Sequence, residues 1–372
     1  MNNNCVVCSR QNECLEDAAF VYATTPILRQ LVASHLDRLD VAYRLERELF
    51  RIEPGAAAAI RSLQSSLSEV ERADVRVSRE RGAALMAAST LDAFGRQLET
   101  EWFDQALRND TFTIFFQPIV DTRGMNVFAH ECLIRLSADR FYNGGEIIQA
   151  AFARGSVHLF DSYARRLSIR KAGLQFIPGT KVFINFMPSS IYDPAFCMAS
   201  ALEEMSRTSM KPRDIVFEVV ESEEVQDVKH LQKICDYYRK EGFGFALDDV
   251  GTGSNSLQMV CDLKPDYIKL DKSLISRVSD PMYQGVIGKL AEFAAQFGLS
   301  TIAEGIETVE TCELLRELGI NLMQGYYFGK PAAQMQPHLN LHDDDLKQLS
   351  DQLGRAVTPQ VASGLINMSV KN

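Results

Sequence analysis

From residue 111 onward, short apolar runs alternate with segments of helix length. Eight runs are rich in β-branched and aromatic residues: 111–119, 126–135, 181–186, 214–219, 243–248, 266–270, 300–303 and 321–326. Strands that alternate with helices predict an α/β fold, and eight of them predict a closed TIM-like (β/α)8 barrel. Only a short link, 121–124, separates the first two runs, which is too short for a crossover helix. We therefore expect an irregular barrel whose first strand pair is antiparallel.

The amino-terminal quarter shows helical rather than strand periodicity. Apolar residues recur at helical spacing across 26–48, and residues 57–107 are rich in Ala, Leu, Arg and Glu. This pattern predicts a mainly helical module over residues 1–97, followed by the barrel at 98–340 and by a short helix and polar tail at 341–372. The module is either a plain helical cap or a dimerising or sensory segment that receives a signalling partner, and the sequence leaves both open.

Composition and charge exclude two classes of partner. Acidic residues outnumber basic ones by 49 to 39, and no block of Lys or Arg suggests a surface for nucleic acid polymers. No stretch reaches the roughly 18 uninterrupted apolar residues of a membrane span, and the first residues contain no apolar signal-type core. We therefore expect a cytoplasmic protein.

Three of the eight cysteines lie close together near the start of the chain. Cys5 and Cys8 have the spacing of a paired motif, with Cys14 and His35 nearby, so they could bind Zn²⁺ or act as a redox-sensing thiol pair. A second paired motif, which a four-ligand zinc site usually has, is missing from the sequence. Ordinary reduced thiols are the alternative interpretation.

A polar residue stands at or just beyond the carboxyl end of almost every predicted strand. These residues are Gln117, Glu131, Asn185, Glu218, Asp248, Asp249, Lys269, Glu304 and Gln324. A single strand-terminal acid is usually a helix cap or a loop anchor. Their recurrence at one rim of a barrel, where barrel enzymes assemble their active sites, predicts a functional site instead.

The acids in this set predict a cation between them, because carboxylates that share one pore mouth repel each other. All the candidate ligands are oxygen donors, which favours Mg²⁺, Mn²⁺ or Ca²⁺ over zinc or copper. The adjacent Asp248 and Asp249 could divide between two ions about 3.5–4 Å apart, an arrangement used in phosphoester hydrolysis. Lys269 could orient the attacking water or offset phosphate charge, or it could form a structural ion pair.

Several short motifs occur around these positions in a fixed order. They are Gln117-Pro118-Ile119, Glu131-Cys132-Leu133 with Arg135, Asn185, Glu218 to Glu221, Asp248-Asp249-Val250-Gly251-Thr252-Gly253, Lys269 to Asp271, Ala303-Glu304-Gly305-Ile306-Glu307, and Gln324-Gly325-Tyr326. With these motifs, about two thirds of the chain resembles the EAL-domain phosphodiesterases of bacterial cyclic diguanylate (c-di-GMP) signalling.

The resemblance implies a role for each matching residue. The first of two Mg²⁺ or Mn²⁺ ions would be held by Glu131, Asn185, Glu218 and Asp248. The second would be held with the help of Asp249 and Glu304. The catalytic groups would be Lys269, Glu131 and Glu304, with Lys269 positioning the water.

Substrate would be bound by Gln117, Leu133, Arg135 and Gln324, with Leu133 at the guanine. The loop 249–256 and the metal cluster would be supported by Glu221 and Glu307. The implied reaction opens c-di-GMP to linear pGpG, and the implied assembly is a homodimer.

The chain departs from the family pattern at three positions. Cys132 replaces the signature alanine, and we expect it to pack in the barrel interior rather than react. Val220 and Val250 replace a threonine and a phenylalanine near the loop that, by the resemblance, would couple the site to dimer contacts. A c-di-GMP receptor or scaffold without turnover is the main alternative, and a barrel acting on another phosphodiester is a third. Because no ligand position is lost, the sequence favours an enzyme.

Overall fold

The computed structural model describes residues 19–53, 55–79, 88–219, 227–251 and 256–339. Contacts group the chain into two compact units. The first contains the residues up to Thr111 together with Gly145–Val157, and the second contains Phe112–Gly144 together with the residues from His158 onward. Cys5, Cys8, Cys14 and the predicted helix and tail at 341–372 lie outside the described residues.

The first unit combines an antiparallel sheet with six helices. Its strands are β1 (Ala19–Ala23), β2 (Tyr43–Glu46), β3 (Leu49–Ile52), β4 (Val75–Ser78) and β5 (Ser89–Thr90). Its helices are α1 (Pro26–Arg38), α2 (Ala56–Ser66), α3 (Glu69–Ala73), α4 (Leu91–Glu99), α5 (Glu101–Arg108) and α6 (Gly144–Ala153). The sheet order is β2-β3-β1-β4-β5, and all pairings are antiparallel.

The helices predicted for the amino-terminal module are present, but the prediction missed the five-stranded sheet that they accompany. The helix predicted within 26–48 ends at Arg38, and β2 follows it. The long helices predicted for 57–107 are interrupted by β4 and β5. Each of these strands has five residues or fewer, so its period-two alternation is too short to stand out from the surrounding helical composition.

Helix α1 shows how the sheet acquires its core. Thr25 caps its first turn by accepting a hydrogen bond from the Leu28 amide at 3.2 Å, and Pro26 fits the first helical position. The buried face of α1 carries Leu28, Val32 and Leu36, which belong to one apolar cluster with residues of α2 and of the sheet. Packing against the sheet, rather than helix propensity alone, therefore stabilises α1.

The second unit contains the barrel. Its strands are β6 (Thr113–Asp121), β7 (Asn126–Ser137), β8 (Phe141–Tyr142), β9 (Lys181–Phe186), β10 (Ile215–Val219), β11 (Gly244–Val250), β12 (Tyr267–Leu270), β13 (Ser300–Ala303) and β14 (Leu322–Gln324). Its helices are α7 (Val157–Gly173), α8 (Pro194–Met205), α9 (Val228–Lys240), α10 (Ser256–Leu263), α11 (Lys272–Ile275), α12 (Pro281–Gln296) and α13 (Val309–Glu317). Each of the eight predicted runs overlaps one barrel strand.

Eight strands close the barrel in the order β6-β7-β9-β10-β11-β12-β13-β14, with β14 pairing back to β6. Strand β6 is antiparallel to both of its neighbours, and the other pairings are parallel. The predicted irregular barrel with an antiparallel first pair is confirmed. No helix among the described residues is both long and apolar enough to cross a membrane.

A buried histidine joins α1 to α2 in the first unit. Because Arg38 can only donate, its Nη2 must donate to His35 Nδ1, 3.2 Å away, which leaves Nε2 of His35 to donate to Ser62 Oγ at 2.9 Å. Burial, and then the charge of Arg38, lower the pKa of His35 below its ordinary value of 6.5. The folded chain therefore binds this proton more weakly than the unfolded chain does.

We predict that this unit loses stability as the pH falls through about 6.5, where the unfolded state begins to take up the proton. The single tryptophan, Trp102, lies in α5 and reports on the unit by fluorescence. Thermal unfolding followed at Trp102 should show a lower midpoint at pH 5.5 than at pH 7.5, with a smaller difference in the His35→Gln variant. If the midpoint depends equally on pH in the unmodified protein and in the His35→Gln variant, His35 is not the cause of the pH dependence.

Candidate functional site

The barrel interior consists of an apolar layer with a polar layer above it. The apolar layer contains Ile119, Ala129, Phe183, Val216, Ala246, Ile302 and Leu322. Side chains two positions apart on a strand share a face, so the next inward position toward the mouth on each strand is one of the predicted site residues. These residues are Gln117, Glu131, Asn185, Glu218, Asp248, Glu304 and Gln324. The strand period therefore brings them together at the carboxyl mouth.

Lys269 lies at the centre of the polar layer and is 1% exposed. Its Nζ is 2.5 Å from Glu218 Oε1 and 2.5 Å from Glu304 Oε1. The same atom is 3.2 Å from Asp248 Oδ1 and 3.4 Å from Glu131 Oε2. One ammonium group thus contacts four carboxylates, and the cluster keeps an excess of negative charge.

The pKa values of the cluster reflect this excess. Burial raises the pKa of Glu218 well above its ordinary 4.5 and raises the pKa of Glu304 to about 8, against the opposing effect of Lys269. Burial alone would lower the pKa of Lys269, but the surrounding carboxylates, Asp248 first, hold it well above the usual value. Oε1 of Glu218 contacts Lys269, whereas Oε2 is buried without a hydrogen-bond partner among the described residues. An additional cation would stabilise these groups.

Two side-chain amides orient Glu131. Asn185 donates from Nδ2 to Glu131 Oε1 at 3.0 Å, and Gln324 donates from Nε2 to Glu131 Oε2 at 2.8 Å. Because the nitrogen of Asn185 is engaged, its carbonyl oxygen is left as the atom that can bind a cation.

The ligand geometry fits divalent cations at two adjacent positions. One oxygen from each of Glu218, Asp248 and Glu304 lies within 4.8 Å of the others, and the same holds for Asp249, Asp271 and Glu304. Glu304 is common to both groups. Clusters made only of carboxylate and amide oxygens suit Mg²⁺, Mn²⁺ or Ca²⁺.

A backbone irregularity allows consecutive aspartates to serve both groups. The pairing of β11 with β12 shifts register between Leu247 and Val250, and Asp249 has a φ of 53°. In a regular strand, Asp248 and Asp249 would point to opposite faces. The bulge and the left-handed conformation instead let both carboxylates reach the mouth.

Asp271 is a candidate ligand to which sequence analysis assigned no role, although it lies in a quoted motif. It follows β12 directly and caps α11 by accepting the Ser273 amide at 2.8 Å. Its position one residue beyond a barrel strand is the signal that could have identified it, but the same position fits an ordinary helix cap. Only the geometry places it beside Asp249 and Glu304.

Three of the four predicted substrate residues lie on the β6–β7 hairpin, and the fourth, Gln324, ends β14. Strand β7 pairs with β9 only from Ala129 to Cys132, so Leu133 and Arg135 extend past that pairing on the face of β7 that carries Glu131. Arg135 is half-buried, and its Nη1 donates to the Ile134 carbonyl at 2.8 Å. Gln117, opposite Glu131, donates to the Gly329 carbonyl at 3.3 Å.

Comparison with known proteins agrees with this geometry. A family model of the EAL domain matches residues 100–331. The chain belongs to the EAL domain family.

Relatives of this EAL domain are named for cyclic di-GMP chemistry. The Escherichia coli protein named probable cyclic di-GMP phosphodiesterase PdeG is 31% identical over 263 residues, covering 67% of this chain and 51% of that protein. Escherichia coli cyclic di-GMP phosphodiesterase PdeF is 28% identical over 232 residues, covering 61% of this chain and 31% of that protein. This chain therefore spans about half or less of these curated relatives.

A solved structure of a standalone EAL protein from Vibrio cholerae, in its c-di-GMP-bound form, is similar to the barrel. It shares 32% sequence identity with a TM-score of 0.56, and the match covers 62% of this chain and 95% of that one.

The remaining predicted residues lie apart from the acid cluster or outside the described residues. Glu307 is exposed, and its carboxylate pairs with Lys272 at 2.5 Å. Glu221 and Val220 lie outside the described residues. Val250 is buried at the end of β11. Cys132 is buried, and burial raises the pKa of its thiol, which agrees with packing rather than reaction. The expected place in the barrel interior is wrong, because Cys132 alternates with the inward-facing Glu131 and therefore faces α7, where it interacts with Ser168.

We predict that Lys269→Met destabilises the EAL domain in the presence of a chelator by on the order of 3 kcal/mol, because buried carboxylates lose their cation. Adding Mn²⁺ should recover part of this loss. Urea unfolding measures both effects. Lys289→Met is the matched control, since the Lys289–Glu292 pair is 79% and 68% exposed and should contribute less than about 1 kcal/mol. Equal stability of the two variants would contradict this interpretation.

Proposed function

We propose that this EAL domain is a metal-dependent phosphodiesterase that hydrolyses c-di-GMP to linear pGpG. The observation that carries the proposal is the buried cluster of carboxylates around Lys269, in which Oε2 of Glu218 is left without a partner among the described residues. The names of the relatives support cyclic di-GMP as the substrate class. The catalytic domain is proposed to span residues 98–340.

The residues that would hold two divalent cations, Mg²⁺ or Mn²⁺, fall into two groups. The first contains Glu131, Asn185, Glu218 and Asp248. The second contains Asp249 and Glu304, to which the geometry adds Asp271. Bound cations supply positive charge for the phosphate and for the reacting water.

Each of the other residues binds or orients a reactant. The surrounding carboxylates hold the pKa of Lys269 well above its usual value, and its ammonium group would donate a hydrogen bond that orients the attacking water and offsets phosphate charge. Arg135 can offer a planar fork of donors to a phosphate. Gln117 and Gln324 contribute amide groups to the substrate, and Leu133 contributes apolar surface to the guanine.

The assembly is proposed to be a homodimer. The support from the chain itself is an apolar stripe on α12, where Met282 and Val286 lie one turn apart and are 78% and 47% exposed.

The principal alternative is a c-di-GMP receptor or scaffold without turnover. All seven proposed ligand positions carry oxygen donors, and this completeness favours an enzyme over a receptor. The enzyme and the receptor are distinguished by incubating the full chain with c-di-GMP, once with Mg²⁺ or Mn²⁺ and once after chelation. The formation of pGpG is measured by chromatography. Metal-dependent pGpG supports the proposal. Binding without product would establish the receptor, and the lack of both would overturn the substrate assignment.

We predict that Glu131→Gln lowers turnover by about 100-fold or more, because it removes a charged ligand and one of the two acceptor oxygens to which Asn185 and Gln324 donate. Initial rates of pGpG formation at saturating Mn²⁺ measure this loss. Glu292→Gln, which changes an exposed acid on α12, is the control and should keep the rate of the unmodified protein. A near-normal rate for Glu131→Gln would show that the ligand assignment is wrong.

A further inference from the structure

A buried ion pair lies behind the strand end that carries Asn185. Asp161 and Arg165 are one turn apart on α7, and the side chain of each is 2% exposed. Arg165 donates from Nε to Asp161 Oδ2 at 2.9 Å. Removing two charges from water costs about as much as their attraction returns, so a buried pair contributes little net stability by itself. Its partners point to another role.

The Asp161 carboxylate binds the turn that follows Asn185. Its Oδ1 accepts the Met187 amide at 2.9 Å. Its Oδ2 lies 2.5 Å from Ser190 Oγ, and that hydroxyl also lies 2.7 Å from the Met187 carbonyl. The 3₁₀ turn Pro188–Ser190, which starts three residues beyond Asn185, is thus held at both ends by one carboxylate.

The arginine of the pair anchors the residue between Asn185 and that turn. Arg165 donates from Nη1 to the Tyr238 hydroxyl at 3.3 Å. The ring of Tyr238 packs against the ring of Phe186, with centroids 5.8 Å apart. Polar and aromatic contacts therefore fix the backbone on the carboxyl side of Asn185.

The orientation of Asn185 matters because the two ends of its amide differ chemically. Its Nδ2 donates to Glu131 Oε1 at 3.0 Å, so its oxygen can bind a cation only while the side chain keeps this orientation. We propose that Asp161 and Arg165 are positioning residues that hold Asn185 in place for cation binding. This inference rests on the proposed role of Asn185 as a ligand. Groups that orient ligands in this way typically change metal affinity by about 10–100-fold.

Binding of Mn²⁺ to the full chain, followed by the paramagnetic resonance signal of the free ion, tests the proposal without measuring hydrolysis. Asp161→Asn should weaken binding by about 10–100-fold. This variant leaves the buried charge of Arg165 unpaired and can fail to fold. Ser190→Ala therefore decides the test, because it removes a hydrogen bond to the carboxylate and keeps the ion pair. We expect it to weaken Mn²⁺ binding by about 3–10-fold, which is less than the effect of removing the orienting carboxylate itself.

Two controls separate positioning from a general loss of stability. Thr122→Val removes a buried hydroxyl that donates to the Asn321 carbonyl at 3.1 Å, at the opposite end of the barrel, and should leave Mn²⁺ binding unchanged. In an Asn185→Ala background, Ser190→Ala should cause no further weakening.

The proposal is overturned if Ser190→Ala binds Mn²⁺ normally, if Thr122→Val weakens binding equally, or if the Ser190 effect persists without Asn185. If Asn185→Ala itself leaves Mn²⁺ binding unchanged, Asn185 is not a ligand. In that case both this inference and the ligand assignment under the proposed function fail. If Asn185 matters and Ser190 does not, only this inference fails.

Discussion

Four carboxylates crowd around one buried ammonium group at the mouth of the barrel, and the organisation of the site follows from the need to neutralise them. Lys269 contacts Glu131, Glu218, Asp248 and Glu304, which leaves the cluster negative overall. Placing so many acids out of water costs free energy that hydrogen bonds alone do not offset. A site that binds divalent cations accounts for this cost, because the cations would neutralise the carboxylates. The same cations would then attract an anionic phosphodiester.

The barrel builds this cluster from a simple alternation along its strands. An apolar layer that includes Phe183, Val216 and Ala246 fills the interior, and the polar residue two positions later on each of these parallel strands lies above it. The apolar layer excludes water from beneath the acids, which strengthens every electrostatic interaction in the cluster. The same contacts that stabilise the fold therefore also set the charge properties of the site.

The barrel and most of the candidate site could be predicted from the sequence, whereas the amino-terminal sheet could not. Long-range repetition of strand and helix identified each barrel strand, and the strand ends identified residues such as Asn185 and Glu304. In the first unit, strands such as β3 contain only four residues, and their pattern is lost between helices. Asp161 could not be identified because a buried acid on a helix acquires its role only from its contacts with Met187 and Ser190. The position of Asp271 likewise had a simpler explanation as a helix cap.

The most direct test of the central claim is anomalous X-ray diffraction from crystals of the full chain soaked in Mn²⁺. The account predicts anomalous peaks at the carboxyl mouth, within coordination distance of Glu218, Asp248 and Glu304, which together form the cluster around Lys269. Well-diffracting crystals that show no peak there, with Lys269 still in contact with all four carboxylates at saturating Mn²⁺, would contradict it.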